Sequence, residues 1–332
     1  MLNQMTSHEL WAVVLAGGEG KRLQEYTRDR LGVSLPKQFC VLHGTRSLLQ
    51  RTVSRVNKLV PAARTVITVP QAYLKVAIGQ LDGRRIRLAV QPCNRDTTAA
   101  VFLSLLYVYK QSPDAMVVVV PSDHYVSPEE AFLTSLLRAT RVASAHRNRI
   151  VLIGCKPGCR DTDLGFVVPA AEHSGSSAEN AILVSCVEEK PNQSLRDKLV
   201  DRCAYLNTFI MVGALSAFLK AGYDTVPGIL SVLEELHPVI GTPREQETCK
   251  KAFARISNSN FTKDVLSAVP DRLLLVPMNE PCHWLDVGRP EKVEQMLQLL
   301  SGEARNLPDA SRTAIVGPAV NQHQETHGHA YR

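Results

Sequence analysis

The segment Met116–Val120 constrains the whole chain. It is five consecutive apolar residues, four of them valine, stopped by Pro121. A strand with no polar position cannot show either face to water, so it belongs inside a sheet covered by helices on both sides. Other short apolar runs repeat the pattern: Trp11–Ala16, Thr65–Val69, Arg87–Val90 and Ile150–Cys155 read as strands. Between them, Ser47–Leu59, Asp96–Lys110 and Pro128–His146 carry helical spacing, with Ser47 as the N-cap of the first. Alternation of strand and helix predicts βαβ units and an α/β fold, with a Rossmann-like mixed, mainly parallel sheet flanked by helices. The second half is less regular. Strands are expected at Gly165–Pro169, Ile182–Val187, Leu206–Val212 and Arg272–Val276. Helices are expected at Ala214–Ala221, Thr225–His237, Arg244–Ile256 and Pro290–Leu300.

Length alone, at 332 residues, allows two domains, but large α/β enzymes use this length as one. One catalytic domain is expected over residues 1–300. Residues 301–332 lose periodicity, gather Gly, Pro, Asn, Gln and His, and read as a flexible polar tail. His323, His327 and His329 in that tail read as solvent-exposed rather than as a metal site. Lys and Arg outnumber Asp and Glu by 38 to 32, with no run of five or six like charges. That mild excess suits an anionic small substrate, and no nucleic-acid partner is expected. No stretch of 18 apolar residues and no apolar N-terminal segment occurs, so neither a membrane span nor a secretory signal is expected. The eight cysteines include no Cys-x-x-Cys pair and read as reduced thiols of a cytoplasmic protein. Cys155 and Cys159 lack a second ligand pair with zinc-site spacing. A homo-oligomer is left open.

Six short motifs can carry chemistry. The run Leu15-Ala16-Gly17-Gly18-Glu19-Gly20-Lys21-Arg22-Leu23 follows the first strand. Three glycines in four positions let backbone N–H groups approach an anion, and Arg22 adds a bidentate cation. It is not a P-loop, because Lys21 is followed by Arg22 rather than Ser or Thr. It is not a dinucleotide fingerprint either, because Leu23 stands where the third glycine belongs. Pro36-Lys37-Gln38-Phe39 comes next, then Gln91-Pro-Cys-Asn94-Arg-Asp-Thr97, whose amides can read a base edge. Pro121-Ser122-Asp123-His124 lies at the carboxyl end of the strongest strand, where open α/β sheets bind ligands. A carboxylate there can hold Mg²⁺ against phosphate oxygens. Glu188-Glu189-Lys190-Pro191 and Trp284-Leu-Asp286-Val-Gly288 complete the set. Each motif alone also fits a plain turn, cap or surface charge.

Taken in order, the motifs resemble those of the sugar-1-phosphate nucleotidyltransferases, above all the mannose-1-phosphate guanylyltransferase branch. That family looks like Leu-Ala-Gly-Gly-x-Gly-x-Arg-Leu, Pro-Lys-Gln-Phe, Gln-Pro-x-Asn-Arg-Asp-Thr, Pro-Ser-Asp-His, Glu-Lys-Pro, Asn and Asp-Val-Gly. All seven occur here, between Trp11 and about Leu300. The resemblance implies a nucleotide-diphospho-sugar transferase fold and transfer of GMP from GTP to mannose 1-phosphate. It implies that Leu15, Ala16, Gly17, Gly18, Gly20 and Ser122 wrap the nucleotide, with Gln91 and Asn94 near the base. It places Arg22 and Lys37 on the phosphates, and Mg²⁺ on Asp123 and Asp286. Gly165, Glu189 and Asn207 would line the hexose, and Lys190 would meet its phosphate.

Three departures bear on this. Gln24-Glu25-Tyr26 replaces the family's Trp-Pro-Leu, Leu164-Gly165-Phe166 its Tyr-Gly-Tyr, and Asn207-Thr208-Phe209 its Asn-Ser-Gly. Two of them fall on the sugar side, so another sugar 1-phosphate or another nucleoside triphosphate is the alternative. A non-catalytic nucleotide-sugar-binding regulator is a third reading. The chain reads as a stand-alone catalytic domain without the cupin-like half of long bacterial members. The expected nucleophile is a phosphate oxygen, largely dianionic at pH 7, so no general base is required.

Overall fold

The structure is a computed structural model, and it describes residues 10–32, 34–81, 83–157, 164–170 and 181–305. Along the chain the elements run β1 Leu10–Leu15, α1 Lys21–Leu31, α2 Leu48–Val56, β2 Thr65–Pro70, α3 Leu74–Gln80, β3 Arg87–Gln91, α4 Asp96–Gln111, β4 Met116–Pro121, β5 His124–Ser127, α5 Glu129–Ala145 and β6 Ile150–Cys155. They continue as β7 Phe166–Pro169, β8 Ile182–Glu188, α6 Gln193–Asp201, β9 Tyr205–Ala214, α7 Leu215–Thr225, α8 Pro227–Glu234, α9 Glu245–Arg255, β10 Leu273–Pro277, β11 His283–Asp286 and α10 Pro290–Arg305.

Nine strands form one sheet in the order β3-β2-β1-β4-β9-β6-β10-β8-β7. The pairings make β8 and β9 antiparallel to their neighbours, while the other seven strands point one way. The mixed, mainly parallel sheet expected from the sequence is what forms. Strand β4 explains why. Val117 and Val119 pack into a cluster with Phe102, Leu230 and Phe253 on one face. Met116, Val118 and Val120 pack with Leu49, Val53 and Leu136 on the other. Full burial of such a side chain contributes about 1.5–3 kcal/mol, so a polar residue anywhere in β4 would be costly.

Beyond the ends of the central strands lies a second, two-stranded ribbon of β5 and β11, paired antiparallel with His124 opposite Asp286. Helices α1 and α10 cover it through a small third core that includes Leu23, Tyr125, Leu285, Val293 and Met296. Sequence reasoning misses this ribbon, because four residues are too few to show a period. It also misses α1, a mostly charged helix whose few buried positions include Leu23 and Thr27, together with α3 and α6. The expected helix Thr225–His237 is corrected: α7 ends at Thr225 and α8 begins at Pro227. Proline lacks the N–H needed to continue a helix but suits a first helical position. Helix α10 runs to Arg305, past the expected Leu300. Residues 306–332, with their three histidines, and Cys159 lie outside the described residues. No helix among the described residues is long and apolar enough to cross a membrane.

Ser47 caps α2 as expected. Its hydroxyl accepts from Gln50 N while Gln50 Oε1 accepts from Ser47 N, and it also donates to Gln80 Oε1 at 2.7 Å. Ser47 is fully buried, so Ser47→Ala removes the cap and strands an amide oxygen. Thermal denaturation should report a loss of about 1–2 kcal/mol; an unchanged midpoint would contradict the capping role.

Candidate functional site

The site is built where β1 and β4 end. These strands pair in parallel, with Leu15 opposite Pro121, and Ser122 N donates to Leu15 O at 3.0 Å. Two of the sequence motifs therefore leave the sheet side by side. The glycine loop then closes onto a third. Gly20 has φ +60°, and a Cβ there would come 3.0 Å from Lys37 N, so only glycine lets the loop lie against Pro36–Lys37. Gln38, buried beneath, donates from Nε2 to Ala16 O at 3.0 Å and to Gly18 O at 2.7 Å. Gly17 meets the fourth motif: a Cβ on it would lie 2.8 Å from Gln91 Oε1.

These contacts deliver Lys37 into the strand ends. Its Nζ lies 2.5 Å from Asp286 Oδ1 and 3.2 Å from Asp123 Oδ2, and only a tenth of its side chain is exposed. Asp123 sits between β4 and β5, and Asp286 closes β11. The two carboxylates therefore converge, as expected, between the carboxyl end of β4 and the ribbon of β5 and β11. Burial lowers the Lys37 pKa, yet the two carboxylates outweigh it and the net shift is upward. Burial raises Asp286, but the Lys37 ammonium overrides it and holds the carboxyl at about 2, with Arg22 adding to the effect. Arg22 Nη2 lies 3.5 Å from where a Cβ would stand on Gly288, in the turn after Asp286. Arg22, Lys37, Asp123 and Asp286 thus form one cluster.

His124 and Trp284 brace the ribbon. Their rings meet edge-on at 4.9 Å, and Trp284 Nε1 donates to His124 Nδ1 at 3.2 Å. Burial lowers the His124 pKa against the pull of Asp123 and Asp286. An Nδ1 that accepts a bond carries no proton, so His124 is neutral and bears its hydrogen on Nε2.

Beside the glycine loop is a cavity of about 370 Å³, whose wall includes Gly17, Glu19, Gln91 and Asn94. Gln91 Nε2, Gln38 Oε1 and Ser122 Oγ are buried without a protein partner. Orphaned buried polar atoms are uncommon in native folds and mark places where a ligand or water bonds. The expected sugar-side residues form a group of their own. Asn207 N donates to Gly165 O at 2.8 Å, and Glu189 Oε2 lies 2.9 Å from the Cβ position of Gly165. Lys190 pairs with Glu189 at 3.2 Å, with its side chain more than half exposed. Lys190 and Phe209 both hold left-handed backbone, at φ +48° and +57°. Such strain in non-glycine residues gathers at functional sites.

Sequence reasoning names Lys37 but not its pairing with the carboxylates, and it misses Gln38, Trp284 and Glu19 as parts of the site. Gln38 is visible as a polar residue inside a motif, the one signal available for it. A larger cavity of about 610 Å³, lined by Cys155, Leu206, Trp284 and Leu285 among others, contains none of the expected site residues. Among the described residues no group of three or more His, Cys, Asp or Glu side chains forms a metal cage.

Comparison with known proteins gives the family and the fold. The pattern of the family described as nucleotidyl transferase matches residues 11–301. A mannose-1-phosphate guanylyltransferase of Escherichia coli (strain K12) is 28% identical over 293 residues, covering 86% of this chain and 59% of that protein. Mannose-1-phosphate guanylyltransferase 2 of Escherichia coli O157:H7 is 30% identical over 246 residues, covering 70% of this chain and 48% of that one. The chain therefore spans about half of the length of these relatives. Among solved structures, a mannose-1-phosphate geranyltransferase from Thermus thermophilus superposes with TM-score 0.71 at 25% identity, covering 84% of this chain and 76% of that one.

The cluster fixes a pH signature. Asp286 titrates at about 2 in the folded chain, below its ordinary 3.8, so its contribution to stability is complete above about pH 4 and drains away as pH falls toward 2. Lys37, shifted upward, loses its contribution only as pH rises through a value above 10.5. Urea unfolding of Asp286→Asn should therefore show a smaller stability loss between about pH 4 and about pH 2 than the parent chain. Parallel acid limbs would contradict the ion pair.

Proposed function

The chain belongs to the nucleotidyl transferase family, and from that premise we propose that it transfers GMP from GTP to a hexose 1-phosphate, favouring mannose 1-phosphate and releasing pyrophosphate. One observation carries the proposal. A buried ammonium and two carboxylates converge at the strand ends, directly against a glycine loop that also lines a cavity of about 370 Å³.

The chemistry asks little of acid–base groups. A sugar phosphate with a second pKa near 6 is already a dianion at pH 7 and attacks the α-phosphorus directly. The obstacle is repulsion between two anions, so positioning and cations supply most of the rate. Lys37 faces the α-phosphate and Arg22 the neighbouring oxygens. Lys190, on its exposed stem, meets the sugar phosphate, and Gly165, Glu189 and Asn207 line the hexose. The neutral His124 is hydrogen-bonded to an indole and acts as a brace rather than a base.

Mg²⁺ fits this donor set. Asp123 and Asp286 both reach one cationic group, the Lys37 ammonium, and so stand close enough to share an ion. Magnesium is commonly held by one or two carboxylates plus substrate phosphate oxygens, not by an all-protein cage. When bound, the ion would neutralise charge on the reacting phosphates. Lys37 is the residue that must yield its place between the carboxylates and turn to the phosphate, which its flexible stem allows.

Pyrophosphate release over a grid of four nucleoside triphosphates and several sugar 1-phosphates, with Mg²⁺, tests the proposal. The expected maximum is at GTP with mannose 1-phosphate, lowered about 10³-fold or more in Asp123→Asn, the scale on which preorganised charge acts. A maximum elsewhere in the grid overturns the substrate assignment and leaves the mechanism. No release anywhere, with GTP still bound, overturns the activity and favours a nucleotide-binding regulator.

A further inference from the structure

The 370 Å³ cavity contains one carboxylate among its lining residues, that of Glu19. Glu19 occupies the first unspecified position of the Leu-Ala-Gly-Gly-x-Gly-x-Arg-Leu pattern, so nothing in that pattern gives it a role. The structure holds it in place nonetheless. Gln24 Nε2 donates to Glu19 O at 2.9 Å, and Asn94 Nδ2 donates to Glu19 Oε1 at 3.3 Å. Gln38 fixes the neighbouring Gly18 carbonyl from below. Asn94 itself is committed, because its Oδ1 accepts from Asp96 N at 2.8 Å. Asn94 therefore also orients Glu19 from within the same cavity lining.

Gln91, in the same lining, carries a donor of a different kind. Its Nε2 is buried and unpartnered, and the residue is 4% exposed. The lining thus brings together a carboxylate, whose oxygens each accept more than one hydrogen bond and so are not exhausted by Asn94, and an amide N–H₂ that donates. Guanine presents the matching edge: N1–H and the N2 amine as adjacent donors, with O6 as acceptor. Adenine has a lone pair at N1 and no amine at C2, so it would set lone pair against carboxylate. Uracil and cytosine lack the second donor beside the first.

We infer that Glu19 is the specificity-determining residue for guanine, accepting N1–H and N2–H while Gln91 Nε2 meets O6. The inference rests on the guanylyl-transfer proposal and deepens it. A site built to bond a polar group discriminates strongly against analogues lacking it, because its own buried groups are then left unpaired.

The test compares kcat/KM for GTP, ITP and ATP in the parent chain, Glu19→Gln and Glu19→Ala. ITP keeps N1–H and lacks only the N2 amine. The parent should prefer GTP over ITP by about 10-fold and over ATP by about 10³-fold or more. Glu19→Gln should cut the GTP-to-ATP ratio by about 100-fold and narrow the GTP-to-ITP gap, with Glu19→Ala at least as severe. Displacement of a fluorescent GTP analogue by each nucleotide should give the same ordering, which keeps the test open if turnover is lost. If the variants lower all three nucleotides by one factor, Glu19 shapes the loop and does not select the base. A parent chain that uses another nucleotide best overturns the guanylyl proposal itself, and this inference with it.

Discussion

The position of one ammonium group organises the active end of the molecule. Lys37 lies 249 residues from Asp286 in sequence and 2.5 Å from it in space. A lysine buried this deeply is tolerated only when its charge is matched, and here two carboxylates match it. Removing one partner of such a buried pair typically costs about 3–5 kcal/mol, since the charge left behind has no solvent to turn to. The ribbon of β5 and β11 holds its place because His124 meets Trp284 edge-on, and because α1 and α10 cover it. The glycine loop lies where it does because Gly20 has no Cβ to strike the Lys37 backbone. Charge, ribbon and loop are therefore one arrangement rather than three.

The two sides of this cluster differ in how they are made. Around the glycine loop, backbone and amide contacts join the ends of β1 and β4 to the β3–α4 loop. Around Gly165 and Asn207, β9 bulges against β6 between Ile153 and Gly154, and Phe209 takes φ +57°. The related pattern Asn-Ser-Gly has glycine at that place. Phe209 keeps the conformation without it, because its N–H donates to Asn207 Oδ1 at 3.0 Å and its ring packs 6.1 Å from Phe261. A non-glycine residue in this region carries strain of about 1–3 kcal/mol, which the surrounding contacts offset. The departure in sequence thus preserves backbone shape while adding a ring that packs against the main core.

Much of this is legible in the residues alone, for physical reasons. Strands β1, β2, β4 and β6 are short apolar runs ended by Gly, Pro or polar residues, and burial on both faces leaves them little freedom of pattern. Helix α2 announces itself through Ser47 and Gln50. What stays hidden is either too short or too charged. The four-residue strands β5 and β11 show no period, and α1 turns most of its length to water. Pairing across 249 residues leaves no local trace, so the salt-bridged state of Lys37 has no signal beyond its motif. Glu19 and Trp284 are visible only as neighbours of better-marked residues, and their roles depend on distances that spacing does not encode.

If the ammonium between the two carboxylates serves the reaction rather than the fold or the nucleotide's affinity, its loss must show in the chemical step. Lys37→Met keeps most of the stem and removes the charge. Single-turnover formation of nucleotide sugar should fall by about 10³-fold or more, as when one preorganised charge is lost from a transition state. GTP affinity measured on the same protein by calorimetry should change less than about tenfold, or about 1.4 kcal/mol. A matched loss of affinity with no separate loss in the chemical step would contradict this role for Lys37.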